Sequence, residues 1–187
     1  MFTYRACITM LLVSLAGTGS AMAQEDYGLG RQASDKEIAG WNIDVPPSGA
    51  GLPVGTGSVG DGQQIYQTQC QSCHGAEGKG GPMNQLAGGQ GTLGGDSPVK
   101  TVGSYWPYAT TLFDYIHRAM PFNSPQTLSA NETYAVTAYI LHLNDILDSD
   151  ATLDANSLPE IRMPNRDGFE SPDPRPDVNA TACMSNC

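Results

Sequence analysis

The apolar positions of this chain keep a helical period only in its middle, residues 58 to 148. From about Ser58 or Asp61 to Cys73, the side chains of Ile65, Tyr66, Cys70 and Cys73 fall on one face at helical spacing. A Gly-rich loop follows, from Gly75 to Gly95. A second helix is predicted to begin near Pro107, a residue suited to a first helical turn. Its apolar positions are Tyr108, Leu112, Tyr115 and Ile116, and it should stop before Pro121, because proline disfavours helix at the preceding residue. The third helix is the clearest. Ser129 and Glu132 form a capping-box pattern, and Ala135, Tyr139, Leu143 and Ile146 make the stripe behind it.

The flanks lack this period. Residues 24 to 57 are rich in Gly and Pro, apart from the short charged piece Ala33–Ile38, where Ser34 and Glu37 suit the start of a helical turn or two. From Asn42 to Gly57 the sequence reads as an extended, irregular arm. Residues 149 to 187 collect Pro, Asp and Asn and are too polar for a second core. They are expected to lie as an extension on the domain or on a partner. Residues 1 to 23 read as a secretory signal: Arg5, an apolar run from Cys7 to Ala16, and an A-x-A site at Ala21-Met22-Ala23. That run is short for a membrane span. A cleaved, exported, periplasmic protein beginning near Gln24 is expected.

Charge narrows the class of partner. The whole sequence carries 19 acidic and 9 basic residues, a net charge of −10. Removing residues 1 to 23 takes away only Arg5, leaving 8 basic against 19 acidic residues, or −11. Such a chain repels nucleic acid and anionic membranes and favours a partner with a basic face.

The chemistry concentrates at Cys70-Gln71-Ser72-Cys73-His74, a C-x-x-C-H motif. Two thiols three residues apart at a helix end can reach both vinyl groups of one haem, and the adjacent His then offers its imidazole to the iron. A dithiol redox motif would want a βαβ context, and a zinc site a fourth ligand at suitable spacing. The motif therefore predicts one covalent haem c, with His74 as an axial iron ligand. Candidates for the sixth position are Met83, Met120, Met163, Met184, His117 and His142. Met120 has the best setting, at a helix end directly before Pro121. Against it stands a gap-filling core role. Met/His ligation would mark an electron carrier with a filled sixth position.

Tyr105 and Trp106 are candidates for propionate contacts, against a role as edge-of-core aromatics. Arg118 suits either a propionate or the C-terminal end of a helix. Cys183 and Cys187 form C-x-x-x-C without a following His, which fits a local disulfide better than a second haem. Asn131-Glu132-Thr133 and Asn179-Ala180-Thr181 match the glycosylation pattern by chance.

These features together resemble a class I mono-haem cytochrome c, which implies an all-α fold over residues 58 to 148 between extended arms. Gly62 and Tyr66 stand where that fold crosses its final helix, with Tyr139 and Leu143 as partners. A closer resemblance reaches beyond the domain. Leu29-Gly30-Arg31, Glu37–Val45, Gly51-Leu52-Pro53, Leu86–Leu93, Val99–Ala109, Phe113–Ile116, Arg118–Phe122, Leu143–Ile146 and Pro164–Phe169 are similar to the SoxD-type cytochrome subunit of sulfur-oxidation dehydrogenases. The resemblance implies a molybdenum-containing sulfur or sulfite dehydrogenase subunit as electron donor and a soluble cytochrome c as acceptor. The substrate-oxidising chemistry would belong to the partner. Some members carry two haems, and this chain has a single C-x-x-C-H. An independent diffusible carrier and a haem peroxidase are the competing readings. The first would elute alone, and the second would bind carbon monoxide at an open sixth position.

Overall fold

The computed structural model describes residues 29–170. The stretch read as a signal, residues 1 to 23, together with Met184 and the cysteines Cys183 and Cys187, lies outside the described residues. Two units are distinguished, one ending at Ile38 and the other beginning at Ala39. In the first, Ser34 and Glu37 form a reciprocal cap: the Glu37 carboxylate accepts from the Ser34 N–H at 2.9 Å and pairs with Arg31. This local set starts helix α1, Asp35–Trp41, which buries none of its residues.

The second unit is built on three helices. Helix α2, Val59–Gln69, is capped by Ser58, whose hydroxyl accepts from the Asp61 N–H at 3.1 Å. The backbone departs from helical geometry at Cys70 and resumes as the single turn α3, Gln71–His74. Helix α4 spans Ala109–Ala119 and α5 spans Ala130–His142. The onset of α4 falls two residues later than Pro107 suggests, because Tyr108 is extended, at φ −138 and ψ 132, and serves as its N-cap. The predicted capping box of α5 is complete, with Glu132 also accepting from the Ser129 N–H at 2.8 Å.

Helices α2 and α5 cross at Gly62. A Cβ there would fall inside the Ala135 carbonyl, so only glycine permits this approach. One turn on, Tyr66 meets Tyr139 with ring centroids 5.2 Å apart. Tyr66 is fully buried, and burial pushes its phenol up to about 12. Its hydroxyl donates to the Gly75 carbonyl at 2.9 Å, which ties the crossing to the loop after α3. The two tyrosines are packing residues, as the resemblance implied.

The flanks add what the helical period does not show. Thr56–Ser58 (β1) pairs antiparallel with Thr152–Asp154 (β2), in the register Thr56 to Asp154 and Ser58 to Thr152. Gly57 of β1 lies against the Ala135 backbone, where a Cβ would clash. Upstream, the Val45 N–H donates to the Asp114 carboxylate at 2.7 Å, and the Thr110 and Tyr134 hydroxyls donate to the Pro47 and Pro53 carbonyls. Downstream, Leu153, Leu158 and Met163 enter the same core as Phe113, Tyr134 and Leu141. Leu158 opens a 3-10 turn, Leu158–Glu160. Residues 149 to 170 therefore lie on the domain and complete its core, despite their polar composition.

Candidate functional site

Helix α2 delivers the motif. Its C-cap is Cys70, half-buried and packed on the core, and the turn α3 then carries Cys73, which is exposed, and His74. Both thiols are unpaired. Burial pushes the Cys70 thiol up to about 11, with the neighbouring Cys73 adding to the shift. Among the described residues no three or more His, Cys, Asp or Glu side chains cluster where they could hold a metal ion.

The His74 imidazole is oriented by a backbone atom. Its Nδ1 lies 2.8 Å from the Asn84 carbonyl oxygen. A carbonyl only accepts, so Nδ1 carries the proton and Nε2 keeps its lone pair for a metal. The loop that brings Asn84 back is drawn tight by glycines. Gly75 takes φ +83, and a Cβ at Gly75 or Gly81 would run into the Lys79 or Cys73 carbonyl. The Met83 N–H donates to the Cys73 carbonyl at 3.0 Å, closing the loop on the motif. One half-buried thiol, one exposed thiol and an imidazole with a single free nitrogen together fit covalent haem attachment.

The remaining loop is clasped to α5 through Asn144, which is buried. Its Oδ1 accepts from the Gly88 N–H at 3.0 Å, and its Nδ2 donates to the Leu86 and Ile140 carbonyls at 3.1 and 2.8 Å. Thr101 and Ser104 hold the next turn, with the Ser104 hydroxyl donating to the Val99 carbonyl at 2.6 Å. Asn144 was legible only as part of a resemblance, since a lone Asn after a helix carries no sign of a loop more than fifty residues upstream. The Asn84 carbonyl had no signal at all.

The sulfur candidates separate by burial. Met163 is 1% exposed in the core and Met83 is 58% exposed on the loop. Met120 is intermediate, packs against the core, and ends α4 as its C-cap, with its N–H donating to the Ile116 carbonyl at 3.0 Å. The Met120–Pro121 peptide is cis. Of the histidines, His142 has its Nδ1 2.9 Å from the Leu147 carbonyl, while His117 packs on Phe113 and keeps a buried Nδ1 with no partner among the described residues.

Arg118 is engaged by its own helix. Its Nε donates to Asp114 at 2.8 Å, and its terminal nitrogen pairs with the other carboxylate oxygen. Burial alone would raise the Asp114 carboxyl; the bonds from Arg118 and the Val45 N–H outweigh it and hold the group below the ordinary carboxylate value. Tyr105 packs edge-on to Phe169, and Trp106 packs edge-on to Tyr115.

Three comparisons bear on this arrangement. The cytochrome c family model matches residues 59–144. No curated protein sequence matches the chain. Among solved structures, the chain is similar to the sulfane dehydrogenase SoxCD from Paracoccus pantotrophus, at 41% identity and a TM-score of 0.76. That likeness covers 86% of this chain and 82% of the other.

Proposed function

The chain belongs to the cytochrome c family, as a SoxD-type cytochrome that carries haem c and transfers electrons, and from that premise we propose that it is the relay subunit of a periplasmic, molybdenum-containing sulfane dehydrogenase. It would accept electrons from the molybdenum subunit and pass them to a soluble cytochrome c. The observation that carries this reading is the reach of the likeness to SoxCD. It extends to 86% of the chain, well past the domain matched at residues 59–144, and so includes the flanking arms. A free shuttle has no need of such arms.

In this reading Cys70 and Cys73 would hold the haem through thioethers, and His74 and Met120 would ligate its iron. The haem supplies an iron that alternates between ferric and ferrous states. His74, with its Nδ1 proton held by Asn84, presents Nε2 and cannot swing away. A Met120 thioether would raise the reduction potential relative to a second imidazole and would keep oxygen and peroxide from the iron. Half-burial of Cys70 and exposure of Cys73 leave one edge of the site toward solvent, where electrons can enter or leave.

Purification from the native host at mild salt tests the proposal. The expected result is co-elution with a molybdenum protein and reduction of the haem on addition of a sulfane-sulfur substrate. Elution alone, with no substrate-dependent reduction, would establish the independent carrier instead. N-terminal sequencing of the purified chain checks export, with a start at Gln24 expected.

A further inference from the structure

The two arms treat their apolar residues differently. In the C-terminal arm Leu153, Leu158 and Met163 are buried in the core, so that arm serves the fold. In the N-terminal arm Val45 is buried and Leu52 packs against the core, but Leu29, Ile38, Trp41 and Val54 are exposed. Ile38 and Trp41 both belong to α1, three residues apart, and so share a face of that helix. Trp41 is 87% exposed and Ile38 51%. An indole is the largest apolar side chain a surface can show, and tryptophan is the residue most enriched where one protein anchors in another.

Helix α1 forms although it buries nothing. Its seven residues fall short of the about 12–15 at which an isolated helix becomes marginal in water. Its start is nevertheless secured: the Glu37 carboxylate accepts from the Ser34 N–H and hydroxyl, at 2.9 and 2.8 Å, and pairs with Arg31. A cap on a helix with no core to face suits an element shaped in advance for a groove elsewhere. The charges of this piece also cancel. Residues 29–41 carry Arg31 and Lys36 against Asp35 and Glu37, in a chain whose net charge is −10. What α1 offers a partner is therefore apolar area and not a field.

The extent of the likenesses says what covers it. The cytochrome c match begins only at residue 59, so α1 lies outside what the chain shares with that family at large. The likeness to the sulfane dehydrogenase covers 86% of 187 residues and leaves about 26 outside, so a single span of that length includes α1 wherever it begins. We propose that α1 seats its Ile38–Trp41 face in an apolar groove of the molybdenum-containing partner subunit, and is the element that holds the two chains together. The inference rests on the relay reading above. A contact of this kind keeps its strength when salt screens charge, whereas any contact made by the acidic remainder of the chain weakens.

Full-length, haem-loaded parent and variants, purified in about 1 M salt, test it. The parent is expected to elute with a protein identified by its molybdenum content. W41S is expected to bind that protein about tenfold more weakly or worse and to elute free, while W41F stays near the parent. Haem content and thermal unfolding of W41S should match the parent, because so exposed an indole contributes little to the fold. V54S removes another exposed apolar side chain, outside α1, and is expected to bind as the parent does. An equal loss in V54S would overturn the proposal. So would a W41S variant that changes the oligomeric state of the chain itself and keeps the partner, since the occupant of the face would then be a second copy. A parent that elutes alone brings down the relay reading together with this one; a W41S complex that stays intact brings down this one only.

Discussion

At His74, the contact with the Asn84 carbonyl leaves Nε2 as the nitrogen free for a metal, and in the proposed haem site the remaining variable is the sixth ligand. Met120→Ala is expected to abolish the weak sulfur-to-iron absorption band and to admit carbon monoxide to the ferrous protein. Survival of the band would pass the role to another residue. Asp114 is the second residue whose chemistry can be read out. Its folded carboxyl lies below the ordinary value, so the stability it contributes is present in full above about pH 4 and is lost as the pH falls through the lower folded value. Asp114→Asn should therefore lower stability near neutrality, and its deficit should close on acidification, as followed by denaturant titration at several pH values. The motif residues were legible because haem attachment demands three identities in one short run. The Arg118–Asp114 pair was half legible. Its i, i+4 spacing is in the sequence, but its third member, the Val45 N–H, carries no residue signature.

Helices announce themselves by period and by caps, and these elements did so in proportion to their length. The α5 box at Ser129 and Glu132 was readable because two side chains at fixed spacing satisfy two orphan N–H groups. The strands were not readable. Three residues give no alternation to count, and their pairing joins segments at opposite ends of the domain. The crossing of α2 and α5 offers a sharper test at the scale of elements. Gly62→Ala places a methyl against the Ala135 carbonyl and should cost about 1–3 kcal/mol or more in thermal unfolding. Gly60→Ala, in the same helix, meets nothing nearer than the Ser58 hydroxyl at 3.9 Å and should leave stability unchanged or slightly raised. Equal effects from both would mean that helix propensity, not the close approach, governs the first.

For the molecule as a whole, composition understates the flanks. Pro, Asp and Asn dominate the C-terminal sequence, yet a few apolar residues among them, Leu153, Leu158 and Met163, are enough to finish the core. Sparse anchors have no period, so a reading built on periods passes over them. Leu158→Ala is expected to cost about 2–5 kcal/mol, as a core leucine does, and calorimetry of the haem-loaded protein would show it. A loss under 0.5 kcal/mol would make this segment an appendage after all.

The antiparallel register of β1 and β2 also has a mechanical side. Thr56 faces Asp154, so the N-terminal arm and the C-terminal chain leave the ladder at the same end. Tension applied between them loads its hydrogen bonds one after another, like a zip, and not all together. Such a joint yields at low force. If a partner tugs on the two arms during docking or release, the load reaches the core anchors at Val45 and Met163 first and the ladder only once they yield, and the Gly62 crossing, with the motif about two turns beyond it, is spared.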